Sequence, residues 1–274
     1  MKKIFLIITI ILSLALSGCT FFQKDNFISP DAKNGASSYE ESPLVDPKNL
    51  EAKVPILIYH HIREATTTDA EKNKQFILSP ADFEHQLQYL KDNNFETISL
   101  ADLNNYFAGQ FSLPQKPVII TFDDGLISQY TNALPLLQKY NFTATFFIFT
   151  NPIGKSKNYL TWEQLKELDK LGMEIGVHGK YHLYLNKEKD QKKLADEILG
   201  SKEKIEEELG KKISTFSYPF GAYNDQVIEM VKNAGYTSAR DIINGVSHKK
   251  ANLYKLKAYF ITDSFPRFTK IVGQ

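Results

Sequence analysis

Residues 116–128 read KPVIITFDDGLIS. The run 117–122 is rich in β-branched and aromatic residues and predicts a buried strand. It ends on two adjacent carboxylates, Asp123 and Asp124, followed by Gly125. Asp-Gly after a strand commonly makes a hairpin turn. Here Leu126, Tyr130, Leu134, Leu137 and Tyr140 recur at helical spacing, so the chain passes from strand to helix instead. In α/β folds such junctions hold ligands at the carboxyl ends of strands. Side chains along a strand alternate faces. The doublet is therefore expected to aim its carboxylates in two directions and give them two tasks.

Working outward, strand-like and helix-like runs alternate from Val54 onward. VPILIYH (54–60), FETIS (95–99), TATFFIF (143–149), MEIGVH (173–178), ISTFSYP (213–219), YTSAR (236–240) and LYKLKAYFI (253–261) predict strands. TATFFIF is apolar throughout, as a strand buried on both faces must be. Helices are predicted over 80–94, where Ser79 is the cap and Pro80 the first helical residue, and over 100–109, 189–210 and 224–235. Thr161-Trp162-Glu163-Gln164 reads as a capping box that starts another. The helix over 189–210 carries opposite charges at helical spacing, which suits a solvated face. Alternation over some two hundred residues predicts a parallel α/β barrel or an open sheet. Periodicity alone does not choose between them.

The 274-residue chain has a formal net charge of +1, and two of its cations are Lys2 and Lys3. No basic excess marks a nucleic-acid partner. Lys2-Lys3 is followed by the apolar run IFLIITIILSLALSGC, which reads as a secretory signal. Leu16-Ser17-Gly18-Cys19 resembles the bacterial lipobox. That resemblance implies lipid on Cys19, removal of residues 1–18, and a domain held at the outer face of a cell membrane. A plain membrane anchor is the alternative. Cys19 is the one cysteine, so no disulfide forms within the chain. Residues 19–53 are polar and aperiodic and read as the lipidated cysteine and a flexible tether. Residues 54–274 are the expected folded domain, a monomer.

MEIGVH ends in His178, and His182 follows four residues later. Two histidines so spaced can converge on one ion, but surface pairs are common. Here both pairs, Asp123-Asp124 and His178/His182, fall at predicted carboxyl ends of strands and so on one face. One aspartate and two histidines make a three-ligand site that leaves room for water and substrate. The spare aspartate is then placed to take a proton from that water.

Thr121-Phe122-Asp123-Asp124-Gly125, His178-x3-His182 and Ser217-Tyr218-Pro219-Phe220-Gly221 together resemble the three motifs of the polysaccharide deacetylase (NodB-homology) family, in the family's order. The resemblance implies a distorted (β/α) barrel, one divalent cation and removal of acetyl groups from polysaccharides. Asp124, His178 and His182 would be the ligands and Asp123 the base. The backbone N–H of Phe220, after Pro219, would help hold the oxyanion, with Tyr218 beside it. Zinc is the expected ion. An Asp/His₂ set also takes cobalt, nickel or iron.

YHHI at residues 59–62 resembles the circularly permuted branch, which includes surface poly-N-acetylglucosamine deacetylases. It implies that His60 is the acid, with His61 alternating to the other face. His248, in a predicted polar loop, is the fallback. Ser217 stands where the family often has an arginine that orients the base, and Arg240 and Lys257 are the candidates to replace it. Gly179 stands where Ser or Thr is usual. Trp162 either stacks on a sugar or packs at the barrel rim. Tyr223 is a further candidate for a sugar groove. Phe146, Phe147 and Phe149 read as core, and His85 as solvated. The expected substrate is a poly-N-acetylglucosamine outside the cytoplasm, with peptidoglycan and chitin-like oligomers as alternatives. A non-catalytic glycan-binding lipoprotein on the same scaffold is the competing class.

Overall fold

The computed structural model describes residues 50–274. Among them the strands run in chain order β1 (Glu51–Lys53), β2 (Ile56–Tyr59), β3 (His61–Ile62), β4 (Ile77–Leu78), β5 (Glu96–Thr97), β6 (Pro117–Phe122), β7 (Thr145–Ile148), β8 (Glu174–Val177), β9 (Thr215–Ser217), β10 (Ser238–Arg240), β11 (Ser247–Lys249) and β12 (Tyr259–Phe260). The main sheet has the order β10-β9-β8-β7-β6-β2-β12, with β5 beside the start of β6, and all its pairings are parallel.

The sheet curls until its edges nearly meet. Leu256 donates to the Ala239 carbonyl and accepts from the Asp241 N–H, so the segment before β12 bonds β10 while β12 itself bonds β2. The ring is thus closed by irregular chain rather than a full strand, which makes the barrel a distorted one. The strand expected over 253–261 is accordingly short: Lys250–Lys255 is a 3₁₀ turn, and only Tyr259–Phe260 are extended.

Period-two burial divides the strands as a two-sided sheet requires. Ile56, Ile58, Ile119 and Phe147 pack with Leu256 and Ala258 in one cluster. Leu57, Tyr59, Ile120, Phe122, Phe146 and Ile148 pack in the other cluster with the helical residues Phe83, Leu87 and Leu137. The helices begin where their caps dictate. The Ser79 hydroxyl accepts from the Asp82 N–H, and Thr161 and Gln164 form both arms of a capping box.

Two π-helical turns interrupt this regularity. One, Gln129–Ala133, follows the aspartate doublet; the other, Asp196–Gly200, breaks the helix expected over 189–210. At the amino-terminal border, residues 51–53 are not tether. They form β1, antiparallel to β11, with Ala52 buried. The signal segment, Cys19 and the tether up to residue 49 lie outside the described residues. Among the described residues no helix is long and apolar enough to cross a membrane.

Candidate active site

Asp123, Asp124, His178, His182 and His60 line one cavity of about 700 Å³ at the carboxyl ends of β2, β6 and β8. The doublet diverges for a reason other than strand alternation. β6 ends at Phe122, and Asp124 adopts φ 79°, followed by Gly125 at φ 72°. A left-handed aspartate is tolerated where its side chain is held by function or contact. Both carboxylates consequently reach the same cavity, from different directions. Gly125 also allows a close approach, since a Cβ there would sit 3.1 Å from Ile148 Cδ1.

His178 Nε2 lies 3.8 Å from Asp124 Oδ1 and 3.2 Å from His182 Nε2, and His182 Nε2 lies 3.5 Å from Asp124 Oδ1. Ligand atoms held at about 2.0–2.1 Å by a tetrahedral ion stand about 3.3 Å apart, so this triangle has the right size. The chemistry of the donors agrees. His178 Nδ1 is 2.8 Å from the Ser217 carbonyl, which keeps the proton on Nδ1 and turns the Nε2 lone pair toward the cluster. Asp124 Oδ1 is buried with no hydrogen-bond partner, an acceptor oxygen without a donor. The residues fit a divalent cation.

The charges tell the same story. Burial, reinforced by the neighbouring Asp123 charge, lifts the Asp124 carboxyl to about 7. Burial pushes His178 down to about 4, against the pull of Asp123, and His182 down to about 3. The histidines are therefore neutral at mildly acidic pH, while Asp124 still carries its proton. Cation binding near pH 6 is expected to release close to one proton, and almost none above about pH 8. Calorimetry in two buffers of different ionisation heat measures this. Proton-neutral binding near pH 6 would contradict the assignment of Asp124.

Asp123 is held differently. Arg240 Nη2 stands 2.5 and 2.6 Å from its two oxygens and 2.5 Å from Ser217 Oγ. The sheet explains this. Arg240 in β10 is the register partner of Ser217 in β9, so the guanidinium enters one strand over from the expected place. It is fully buried and lies 5.2 Å from the Phe147 ring centre. Burial alone would raise the Asp123 carboxyl, but the Arg240 charge, aided by His178, His60 and the direct hydrogen bond, holds it at about 2. Of Arg240 and Lys257, Arg240 is the one that touches Asp123.

His60 follows β2, with its ring 5.0 Å from Phe76 and 5.4 Å from Phe260, nearly parallel to the latter. Burial, opposed by the Asp123 charge, holds it down at about 4. His61 does not turn away as alternation predicts. β2 stops at Tyr59 and β3 begins at His61, so both histidines line the cavity. His248 is elsewhere: it sits in β11, buried, its Nε2 2.9 Å from the Val54 carbonyl.

In the third motif Phe220 takes φ 58° inside the turn Pro219–Gly221. The turn's own bonds run from Gly221 N–H to Tyr218 O and from Ala222 N–H to Pro219 O, and the Phe220 N–H is in neither. The Phe220 ring lies 4.3 Å from His182 and stacks on Tyr184 at 4.0 Å. Tyr218 is buried behind it, its hydroxyl spent on the Tyr254 carbonyl, and Pro219 is buried as well. Phe149 is not core. It is half-buried, its ring 5.3 Å from His182. Trp162 faces a separate cleft of about 740 Å³, with Lys204 Nζ 5.5 Å from its ring.

Sequence reasoning missed Gln129. It opens the first π turn, is fully buried, and its Nε2 donates to the carbonyls of His60, at 3.1 Å, and Asp123, at 2.5 Å. One amide thereby ties the backbone under His60 to the backbone under Asp123. Ser128 and Asn132 add bonds to the N–H and carbonyl of Ile62. The only prior signal was a polar residue at a position the helical phase left open.

Residues 112–239 match the family profile described as polysaccharide deacetylase. YxkH of Bacillus subtilis, which carries a provisional polysaccharide deacetylase name, is 30% identical over 271 residues, covering 93% of this chain and 92% of its own. The poly-beta-1,6-N-acetyl-D-glucosamine N-deacetylase of Staphylococcus aureus strain N315 is 27% identical, covering 96% of this chain and 93% of its own. Among solved structures, Streptococcus pyogenes deacetylase PplD in complex with acetate is similar with a TM-score of 0.74 and 27% identity, covering 82% of this chain and 99% of PplD.

Proposed function

The chain belongs to the polysaccharide deacetylase family, and from that premise we propose that it removes N-acetyl groups from extracellular N-acetylglucosamine polymers, poly-β-1,6-N-acetylglucosamine first among them, with one divalent cation bound by Asp124, His178 and His182. The observation that carries this reading is the juxtaposition of a carboxylate clamped by arginine with a three-ligand cluster in one cavity.

A cation held there supplies electrophilic assistance to the acyl oxygen and makes water more acidic. Asp123 accepts the proton of the attacking water. Arg240 keeps the carboxylate ionised and fixed for that transfer. The Phe220 N–H is the chain's own donor for the oxyanion. His60, stacked on Phe260 with Phe76 against it at a tilt, delivers a proton to the departing nitrogen from its protonated form, a minor one at neutral pH because burial holds the ring down at about 4. Water gives one proton to Asp123 and its hydroxyl to the acyl carbon, His60 gives one proton to the nitrogen as the C–N bond breaks, acetic acid and free amine leave, and return of the proton from Asp123 to His60 through solvent restores the site. An arginine-clamped base serves catalysis and has no role in mere glycan binding, which weighs against the non-catalytic reading.

Leu16-Ser17-Gly18-Cys19 supports the reading of a domain tethered through lipid on Cys19 at the outer face of a cell membrane, and zinc is the ion favoured for the site. The substrate choice rests on the YHHI start at residues 59–62 and on the similarity to the staphylococcal enzyme. Zinc-loaded protein is expected to release acetate from poly-β-1,6-N-acetylglucosamine faster than from chitin oligomers or peptidoglycan, and to stop when chelator removes the ion. Acetate from peptidoglycan alone would move the assignment to that polymer. No acetate from any of the three would end the deacetylase reading.

A further inference from the structure

The loop that carries His182 is strained and short. Gly179 has φ 83° and His182 has φ 60°. A loop in such conformations holds its shape only when its surroundings over-determine it. The restraint comes from a residue far along the chain. Glu197 lies in the second π turn, Asp196–Gly200, and is fully buried. Its Oε2 accepts from the Lys180 N–H at 3.0 Å, and its Oε1 accepts from the Tyr181 N–H at 2.8 Å. Two consecutive backbone donors immediately before His182 therefore converge on one side chain. The adjacent Asp196 pairs with Lys180 Nζ at 2.6 Å, a second latch from the same turn.

Gly179 belongs to this arrangement. A Cβ at Gly179 would stand 2.6 Å from Glu197 Oε2. The usual Ser or Thr cannot be accommodated while the carboxylate is in place.

We propose that Glu197 is a positioning residue that fixes His182 in the ligand cluster, so that cation affinity depends on a side chain outside all three motifs. The proposal rests on the reading of Asp124, His178 and His182 as cation ligands. Partners of this kind that orient a ligand typically contribute 10–100-fold in metal affinity. Here the carboxylate acts on the loop backbone rather than on the imidazole.

The test measures zinc affinity by competition with a chromogenic chelator, the visible spectrum of the cobalt form, and urea stability of the metal-free protein. Glu197→Ala is expected to weaken zinc binding by about 10–100-fold and to change the cobalt bands. Glu197→Gln keeps the volume and one acceptor oxygen and is expected to fall between Ala and wild type. Gly179→Ala, which presses on the intact carboxylate, is expected to weaken zinc binding in the same direction. A purely structural role predicts lower urea stability with wild-type zinc affinity and cobalt spectrum, and that result overturns the proposal. Wild type that binds no zinc overturns the cation reading and this proposal together, whereas tight wild-type binding matched by all three variants overturns this proposal alone.

Discussion

Asp123→Asn is expected to lower kcat for acetate release by about two to four orders of magnitude, the range that a positioned acid or base supplies, while the cation stays bound. Asp123 Oδ2 is 3.8 Å from His178 Nε2, close to the cluster but committed to Arg240. Asparagine preserves the shape and keeps one acceptor for the guanidinium, but it cannot accept a proton from water at neutral pH. The substitution also leaves the buried Arg240 without a counter-charge. Losing one partner of a buried pair costs about 3–5 kcal/mol, so kinetics must be read at a temperature where the variant is folded. KM should change little, because Asp123 holds the water rather than the sugar. A kcat within tenfold of wild type would remove Asp123 from the role of base.

Arg240→Met is the second large effect, and it separates positioning from chemistry. The methionine leaves Asp123 buried without its cation, at a cost of about 3–5 kcal/mol by the same rule. In wild type the folded-state carboxyl is held at about 2, below its ordinary 3.8. A depressed carboxyl adds stability that is complete above its ordinary value and is lost as pH falls toward about 2. In Arg240→Met, burial is the dominant influence left and it raises the carboxyl. The contribution then changes sign. The stability deficit of the variant is greatest near neutral pH and shrinks on acidification. Its kcat should fall, and the acid limb of its pH profile should move to higher pH, since the base now protonates earlier. Arg240→Lys should lie between, because an ammonium restores charge but not the guanidinium's several fixed donors. Urea titrations and kcat profiles across pH 4–9, for wild type and both variants, check this directly; an acid limb that stays in place in Arg240→Met would show that the guanidinium does not set the base.

The parts of the site that could be read from the chain alone are those encoded locally. A strand running into Asp123-Asp124, a strand ending at His178 with His182 four residues on, and YHHI at residues 59–62 each place chemistry at a strand end within a few residues. Strand and helix alternation then put those ends on one face. What stayed hidden depends on non-local register or on a broken period. Arg240 reaches Asp123 only because β10 pairs in register with β9. Gln129 and Glu197 are polar residues buried within π turns, where composition alone reads as solvated helix. The divergence of the two aspartates was anticipated for the wrong cause. A left-handed residue at Asp124, not the pleat of β6, separates the two side chains. LYKLKAYFI has strand composition, but its first residues belong to the 3₁₀ turn Lys250–Lys255 and only Tyr259–Phe260 pair as strand.

The central claim is that the two adjacent carboxylates are not interchangeable: Asp124 belongs to the cation cluster and Asp123 to the proton transfer. Zinc content and zinc affinity of Asp123→Asn and Asp124→Asn, measured side by side on folded protein, test it most directly. The expected result is one zinc per chain at near wild-type affinity for Asp123→Asn, and affinity lowered by at least about a hundredfold for Asp124→Asn, as loss of a direct ligand should exceed loss of an orienting partner. Equal loss of zinc in the two variants would contradict the division of labour.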